Sequence, residues 1–203
     1  KEIDNYDINT ANDKFININS RFEYNKFAFN RFELFSNELK SLFEHLSSHS
    51  FINQLEELTG IYGIIRNDVE LKGSGVHITI DKGKLGLHTD FNMYNHEIYG
   101  KLDRRINLLL YLNDNWKESY NGDILLVNKE NNQIEKKIAP IKNRCLIFNT
   151  TKDSVHGHPY PLNVNSSKIK RKSIAMYYYT KNMNNNETDF QGEKECSTKW
   201  FVL

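Results

Sequence analysis

The chain has 203 residues, with 27 lysine and arginine residues against 26 aspartate and glutamate residues and a formal net charge of +1. This length is sufficient for one domain with its own hydrophobic core, and we predict a single domain over residues 1–203. The balanced charge gives no general attraction to nucleic acid or to an anionic membrane, so we expect neither as a partner.

Cysteine content and hydropathy bear on the cellular compartment. The two cysteines, Cys145 and Cys196, are too few for a disulfide framework or a cysteine zinc site. Cys145 lies in the apolar run RCLIF, which indicates a buried thiol. No apolar run approaches the ~18 residues of a membrane-spanning helix. We therefore predict a soluble protein of a reducing compartment, the cytoplasm, and leave its oligomeric state open.

The first predicted elements are helices. Apolar residues recur at three- and four-residue steps from Phe29 to Leu46, which predicts an amphipathic helix. A polar, serine-rich break follows, and a second helix is predicted to end at Gly60. We expect these helices, over about residues 26–60, to support a sheet. An aromatic surface for a cofactor is the less favoured interpretation of the same stripe.

Beyond Gly60 the sequence changes to the pattern of short β-strands. Six segments are rich in β-branched and aromatic residues, and no helical pattern recurs between them, which favours antiparallel pairing. The predicted fold is mainly β with N-terminal helices: a double-sheet jelly roll packed against the helical layer. A polar tail over residues 181–203 is closed by Trp200, Phe201 and Leu203. The six predicted strands are residues 76–80, 105–112, 123–128, 133–140, 144–149 and 171–180.

The stretch GLHTDFN, residues 86–92, is the first that suggests chemistry. Residues two apart in a strand point to the same side, so His88 and Asp90 can direct an imidazole nitrogen and a carboxylate oxygen at one metal ion. An H-x-D pair also occurs in polar loops without any function. Its interpretation therefore depends on other parts of the chain.

A second stretch, SVHGHP at residues 154–159, supplies histidines that a jelly roll can bring beside His88. Two histidines and one carboxylate form the facial triad that suits non-haem Fe(II) and leaves coordination positions open. We favour His156 as the third ligand, since it shares a strand face with Ser154. His158, held extended by the following proline, is the alternative ligand and otherwise lies beside the ligands or faces the substrate. A surface turn would explain either histidine without a metal.

The strand RKSIAMYYYT opens with Arg171, and alternation places Arg171, Ser173 and Tyr177 on one side. A guanidinium that points into a barrel must meet an anion, because a buried unpaired charge is very costly. Arginine suits a carboxylate since its planar fork binds both oxygens, and Ser173 can add a hydroxyl. An internal ion pair with an aspartate or a glutamate is the alternative explanation.

The strand RINLLLYLN carries two further polar candidates. Tyr111 shares a strand face with Leu109, Asn107 and Arg105. The Tyr111 hydroxyl can donate to the same carboxylate as Arg171, and Asn107 can contact the co-substrate. Both residues could equally be hydrogen-bonded polar side chains of the core.

A resemblance to a known family covers about residues 75–180. The chain is similar there to the Fe(II)- and 2-oxoglutarate-dependent dioxygenases, specifically their prolyl-4-hydroxylase-like branch. The order and spacing of five stretches carry the resemblance: HTDFN, RRINLLLYLNDNW with NGDILL, IAPIKNRCLIFNTT, SVHGHP and RKSIAMYYYT. The resemblance implies a double-stranded β-helix core.

The resemblance also assigns roles to residues. It implies three iron ligands that form the catalytic centre: His88, Asp90 and His156. It implies four residues around 2-oxoglutarate: Arg171, Ser173 and Tyr111 at its far carboxylate, and Asn107 nearby. One departure is the long segment PYPLNVNSSKI before Arg171; if it shifted the strand, Lys170 or Lys172 would take the place of Arg171.

The activity that the resemblance implies is hydroxylation of a C–H bond. Fe(II) is the implied cofactor, 2-oxoglutarate and O2 are the co-substrates, and ascorbate is a further candidate. The metal would supply the chemistry and the protein the orientation, with succinate and CO2 as co-products. The branch suggests a peptidyl proline or another protein side chain as substrate. A saccharide or small-molecule hydroxylase, a metalloenzyme that ignores the oxoacid, and a non-catalytic cupin-like binding module remain alternatives.

We expect contacts with the substrate from a loop after the first ligand pair. Residues 91–103 are predicted to form a flexible flap over the site. The candidate contact residues are Asn92, Tyr94, His96, Tyr99 and Trp116.

Overall fold

The structure is a computed structural model that describes residue 3 and residues 16–17, 20–68, 70–184 and 187–202. Strands dominate this part of the chain, and their pairs are antiparallel. In chain order the elements are β1 (Ile16–Asn17), β2 (Glu23–Phe29), α1 (Asn37–Ser47), α2 (His49–Thr59), β3 (Gly75–Thr89), β4 (Met93–His96), β5 (Gly100–Tyr111), β6 (Ile124–Val127), β7 (Ile134–Ile138), β8 (Cys145–Asn149), β9 (Val155–His158), β10 (Arg171–Lys181) and β11 (Lys199–Phe201). Short 3₁₀ helices lie at Phe32–Leu34 and Glu118–Tyr120.

The strands form two layers joined by β3, which takes part in both. The first half of β3 lies between β2 and β10, and its last residues lie between β11 and β9. Lys82, with a φ of 61°, lies between the two halves. One layer continues from β10 to β5, β8 and β4, and the other continues from β9 to β6 and β7. The predicted double-stranded β-helix is confirmed.

Alternation along the strands of the first layer separates the hydrophobic core from the cavity between the layers. The side that faces the helices is apolar and includes Val76, Ile78, Leu108, Ile174 and Met176. The neighbours of these residues in sequence, His77, Asn107 and Ser173, line the cavity instead. The two-residue period of a strand therefore places the core and the candidate site on opposite faces of one layer.

Serine caps define where each helix of the supporting layer begins. The Ser36 hydroxyl accepts a hydrogen bond from the Leu39 amide in α1, and the Ser48 hydroxyl accepts one from the Phe51 amide in α2. Helix α2 ends at Gly60, whose φ of 69° is the left-handed conformation that glycine adopts readily. The predicted stop signal at Gly60 is confirmed.

The predicted helical start at about residue 26 is wrong. Residues Glu23–Phe29 form β2, which pairs with β3. Phe29, Phe32 and Phe35 are spaced as on one face of a helix, yet they reach the core from a strand, a 3₁₀ helix and the residue after it. The spacing fits both geometries, and pairing with β3 decides between them because tertiary contacts override a weak local pattern.

The predicted flap over residues 91–103 is also wrong. Strand β4 pairs with the start of β5, and Tyr94 and His96 are buried. The segment looks like a loop in sequence because it is polar, but the His96 ring meets the carboxylates of Asp68 and Glu70 at 3.3 and 3.1 Å. All six predicted strand segments, by contrast, contain a strand.

Part of the predicted tail is built into the sheet. Strand β11 pairs with the end of β3, so that Trp200 lies opposite His88. Phe201 packs against a small second core between the strands of the other layer. Leu203, the last residue of the predicted tail, lies outside the described residues.

Both cysteines are free thiols, and Cys145 is exposed. The prediction of a buried Cys145 is wrong: β8 lies at the edge of its layer among the described strands, and none of its residues is fully buried. Among the described residues, no helix is both long enough and apolar enough to cross a membrane.

Candidate metal and co-substrate site

Three predicted ligands converge at one point between the layers. His88 lies near the end of β3, Asp90 follows this strand, and His156 lies in β9 directly opposite His88. Nε2 of His88 is 3.6 Å from Oδ1 of Asp90, and Nε2 of His156 is 3.5 Å from Oδ2. The ligand atoms all lie within 4.8 Å of one another. Metal bonds to nitrogen and oxygen are roughly 2.0–2.2 Å long, so one ion can reach all three atoms.

Backbone carbonyls orient both imidazoles in the same way. Nδ1 of His88 lies 2.9 Å from the Gly86 carbonyl oxygen, and Nδ1 of His156 lies 2.9 Å from the Ser154 carbonyl oxygen. A carbonyl oxygen can only accept, so each Nδ1 carries the proton and each Nε2 keeps its lone pair. Hydrogen bonds of this kind fix the tautomer and the ring orientation of metal-binding histidines.

The charge states of the triad also suit a metal. Burial lowers the pKa of His156 to about 4, so its imidazole is neutral near pH 7. Burial alone would raise the pKa of Asp90, but the Arg104 guanidinium, together with His156 and His88, holds this pKa well below its usual range. The site thus offers two imidazole nitrogens and an ionised carboxylate, the donor set that suits non-haem Fe(II).

Two residues of β5 hold the Asp90 carboxylate. Nη2 of Arg104 lies 3.1 Å from Oδ2 of Asp90, and the Asn107 side-chain amide donates to the same oxygen at 2.8 Å. The side-chain oxygen of Asn107 accepts from Arg104 at 2.9 Å, which closes a buried triangle. Asn107 therefore binds a predicted metal ligand here, and its contact with the co-substrate stays a prediction.

A β-bulge explains why Arg104 could not be predicted. Strict alternation along β5 places Arg105, and not Arg104, on the face of Asn107. The pairing of β5 with β10 shifts between Tyr178 and Tyr179, so β5 contains one extra residue at this point. The predicted orientation of Arg105 is therefore wrong. The only signal in the sequence was the adjacent pair of arginines.

The bulge gives the two arginines different surroundings. The Arg104 guanidinium lies over the rings of Tyr177, at 3.7 Å, and Phe91, at 4.6 Å. The Arg105 guanidinium lies over the Phe190 ring at 3.8 Å, away from the triad. Of these two arginines, Arg104 lines the cavity that contains the triad, and Arg105 does not.

Arg171 is a buried cation without a carboxylate partner in the described part of the chain. The residue is 5% exposed, its Nε donates to the Gly122 carbonyl at 2.8 Å, and its Nη2 lies 3.4 Å from the Tyr111 hydroxyl. The internal ion pair that the sequence left open is not formed among these residues. A buried unpaired charge is costly, and a bound carboxylate would offset this cost.

Arg171 and the triad share one cavity of about 330 Å³. Its lining includes His77 of β3 and Ser173 of β10. Ser173 also pairs with Tyr111 of β5, which is fully buried and is not among the lining residues. Burial raises the pKa of the Tyr111 hydroxyl, which therefore keeps its proton as a donor beside Arg171. Six of the seven predicted site residues line the cavity: His88, Asp90, Asn107, His156, Arg171 and Ser173.

The long segment before β10 does not displace Arg171. The residue pairs with Thr79 of β3 and faces the cavity, whereas Lys170 and Lys172 are not among its lining residues. On the other wall, a Cβ atom at Gly157 would collide with the Gly86 carbonyl, so glycine is what allows β9 to approach β3 so closely.

The residues that line the cavity are not the ones predicted to contact the substrate. Trp200 of β11 lines the cavity, with its ring centroid 5.2 Å from that of His88, and it stacks on Phe22 at 5.1 Å. Strand β2 adds the ion pair of Glu23 and Lys26, at 2.8 Å. The described lining includes none of the predicted contacts Asn92, Tyr94, His96, Tyr99 and Trp116.

A jelly roll with a His-Asp-His donor set and an unneutralised arginine in one cavity defines a mononuclear non-haem metal oxygenase that takes an anionic co-substrate. Residues 74–179 match the 2OG-Fe(II) oxygenase superfamily, and the chain belongs to this superfamily. The superfamily is named for Fe(II) and 2-oxoglutarate, and the donors described above fit both the metal and the oxoacid. The resemblance drawn from the sequence is confirmed.

The solved structures similar to this chain include three prolyl hydroxylases, and the one from Pseudomonas putida shares this fold. A prolyl-4-hydroxylase from Pseudomonas putida aligns with a TM-score of 0.55 at 11% identity, over 81% of this chain and 77% of that chain. A Trichoplax adhaerens prolyl hydroxylase, in complex with a hypoxia inducible factor oxygen degradation domain peptide fragment, aligns with a TM-score of 0.48 at 24% identity, over 70% of this chain and 56% of that chain. A Phytophthora capsici prolyl 4-hydroxylase aligns with a TM-score of 0.43 at 20% identity, over 73% of this chain and 44% of that chain. This chain thus spans 56% of the length of the Trichoplax protein. A search of curated proteins finds no match.

Proposed function

We propose that this protein hydroxylates a proline residue, or another side chain, of a protein substrate in a reaction that depends on Fe(II), 2-oxoglutarate and O2. The observation that carries the proposal is the buried Arg171 guanidinium, which shares a cavity with the triad and has no carboxylate within 4.0 Å among the described residues. A sugar-binding module would not need a cation at this position. A dicarboxylate oxoacid fits it, because one end can meet the metal while the other meets Arg171.

In this proposal each group has one task. His88, Asp90 and His156 hold the iron, and Arg171 binds the far carboxylate of 2-oxoglutarate with the hydroxyls of Tyr111 and Ser173. Asn107 orients Asp90 through the hydrogen bond of 2.8 Å. The bound iron supplies the oxidising chemistry, and the chain binds, orients and excludes water.

The choice of substrate rests on the walls of the cavity. Trp200 lines it, and an aromatic ring is a good packing surface for the saturated ring of proline. The Pseudomonas putida prolyl-4-hydroxylase, which has the same fold, supports this choice by analogy alone. The single domain over residues 1–203 is part of the same proposal.

A substrate screen with two readouts tests this function. The protein is incubated with Fe(II), 2-oxoglutarate, ascorbate and air, and with separate pools of proline-containing peptides, proline-free peptides, glycans and small metabolites. We expect succinate in proportion to a mass gain of one oxygen on a proline residue. Omission of ascorbate tests whether it sustains turnover.

The controls separate the parts of the proposal. His156→Ala should give neither succinate nor the mass gain. Oxygen added to a glycan or a metabolite would overturn the protein substrate and leave the oxygenase intact. Failure of the anaerobic protein to give a visible metal-to-ligand absorption with Fe(II) and 2-oxoglutarate would overturn the oxygenase. Metal binding without this absorption would then favour a metalloenzyme that ignores the oxoacid, and no metal binding would favour a binding module.

We also propose that the protein works in the reducing cytoplasm. The two cysteines are free, and the described chain contains no disulfide that would need an oxidising compartment. Fractionation of source cells with detection by antibody tests this location. Recovery in a secreted or an organellar fraction would overturn it.

A further inference from the structure

His158 is a buried histidine with no hydrogen-bond partner in the described structure. It is 3% exposed, and neither Nδ1 nor Nε2 has a partner. A neutral imidazole always has one donor and one acceptor, and each buried polar atom left unpaired weakens the fold. Buried polar groups are nearly always hydrogen-bonded, so this ring needs a partner that a bound ligand can supply.

The position of His158 excludes the metal as this ligand and points to the cavity. Its nitrogens are not part of the cluster formed by His88, Asp90 and His156, although it lies two residues from His156. It lines the same cavity as Arg171.

The surrounding charges indicate what kind of group belongs there. The cations Arg171 and Lys26 both act on His158. Lys26 is neutralised by Glu23 at 2.8 Å, whereas Arg171 has no carboxylate partner among the described residues. An anion is therefore attracted to the Arg171 side of His158.

Arg171 leaves room at a bound carboxylate for other donors. Its Nε is already bonded to the Gly122 carbonyl, so only its Nη groups can serve the ligand. A carboxylate has two oxygens and about four acceptor positions. Tyr111 and Ser173 offer one hydroxyl each, and His158, whose neutral imidazole carries one N–H, lines the same cavity as Arg171 and Ser173.

We propose that His158 donates a hydrogen bond to the 2-oxoacid bound by Arg171, and that it is a specificity-determining residue for the co-substrate. This inference rests on the proposed function, because it assumes that the cavity takes 2-oxoglutarate.

Binding without turnover tests the proposal. The protein is loaded with Mn(II) in the absence of O2, and the affinity for 2-oxoglutarate is measured by calorimetry and by the shift in melting temperature. His158→Leu should weaken binding by about tenfold or more, since hydrogen bonds to charged groups are the stronger kind. The same variant without ligand should melt at the wild-type temperature or above it, because it removes two unpaired polar atoms. Affinity for Mn(II) should not change.

The melting temperature and the affinity for 2-oxoglutarate, taken together, separate a ligand contact of His158 from a structural role. A His158→Leu variant that melts at a lower temperature and binds 2-oxoglutarate like the wild type overturns the proposal. His158→Asn and His158→Gln place an amide near one or the other ring nitrogen, so the proposal requires weaker binding in at least one of them. Should His158→Leu fail to fold, wild-type affinity in both amide variants overturns it. If the wild type binds no 2-oxoglutarate, the proposed function fails. If Arg171→Ala loses 2-oxoglutarate binding and His158→Leu keeps it, only the inference about His158 fails.

Discussion

The Arg104 guanidinium and the His156 imidazole meet the same oxygen of Asp90. Oδ2 of Asp90 lies 3.1 Å from Nη2 of Arg104 and 3.5 Å from Nε2 of His156. Arg104 is 2% exposed, so the pair is shielded from water. The carboxylate that we assign to iron is thus held by a cation from the neighbouring layer, and the position of this ligand depends on a bulge in β5.

Arg104→Met tests whether this ion pair supports the metal site. The variant leaves Asp90 buried without its cation, so we expect the free energy of unfolding to fall by about 3–5 kcal/mol. Metal affinity should fall by roughly 10–100-fold, as is usual when a partner of a ligand is removed. Urea unfolding and titration with Co(II) measure the two effects.

Arg105→Met is the matched control for this experiment. Its side chain has the same length and charge, but it lies over Phe190 on the other side of the bulge. Metal affinity should stay at the wild-type value. Equal losses of metal affinity in both variants would contradict the role of Arg104.

A pair of histidine variants tests the choice of the third ligand. His156→Ala removes an imidazole from the cluster, so Co(II) affinity should fall by more than about 100-fold, beyond the effect of losing an outer partner. His158→Ala should keep Co(II) affinity, because this residue lies outside the cluster. Absorption of the bound Co(II) reports both. The opposite result would make His158 the ligand.

Arg171→Ala tests the anchor of the oxoacid. Removal of one side of a buried charge pair costs about 2–5 kcal/mol, so the dissociation constant for 2-oxoglutarate should rise by roughly 30-fold or more. Lys172→Ala and Lys170→Ala are matched controls from the same segment, and neither residue lines the cavity. Calorimetry on the Mn(II) protein measures all three. A large loss in a lysine variant with none in Arg171→Ala would move the anchor.

The pairing of His88 with Asp90 could be predicted because its signal is local. The two residues are two apart at the end of β3, and this spacing puts them on one face of an extended segment. Arg104 could not be predicted in the same way, since the bulge that orients it depends on pairing with a strand far along the chain. The contact of Trp200 with His88 could not be predicted for the same reason, because it depends on the pairing of β11 with β3.

The fold shows the same division between local and distant signals. The caps at Ser36 and Ser48 and the stop at Gly60 act within one turn of a helix, so the sequence contains them. Strand β2 is defined by its partner β3, and its phenylalanines also fit a helix face. The burial of His96, whose ring meets carboxylates of the same chain, likewise has no signal in the neighbouring sequence.

Glu56 provides a prediction about stability and pH. This residue of α2 is 7% exposed, and its carboxylate accepts from the Ile64 amide at 2.9 Å and from Arg66 at 2.7 Å. Burial alone would raise the pKa of Glu56, but these bonds lower it below 4.5. A lowered pKa stabilises the fold above the unfolded value, and this stability is lost as the pH falls through the folded value.

Glu56→Gln should therefore lower the free energy of unfolding by about 1–3 kcal/mol at pH 7. The difference from the wild type should shrink as the pH falls below 4.5. Urea unfolding across this range measures it, with the exposed neighbour Glu57→Gln as the control. A difference that does not depend on pH would show that the Glu56 charge is not what stabilises this junction.

Trp200 should report metal binding by fluorescence. The chain has two tryptophans, and the Trp200 ring lies 5.2 Å from the His88 ring. An ion with a partly filled d shell quenches a nearby indole, so Co(II) should quench the wild type and Trp116→Phe alike. Trp200→Phe should lose most of this quenching while it keeps a ring to stack on Phe22. Zn(II), which has a filled d shell and accepts the same donors, is the control for conformational change. Strong Co(II) quenching in Trp200→Phe would mean that the ion binds away from His88 or that β11 does not pair with β3 in solution.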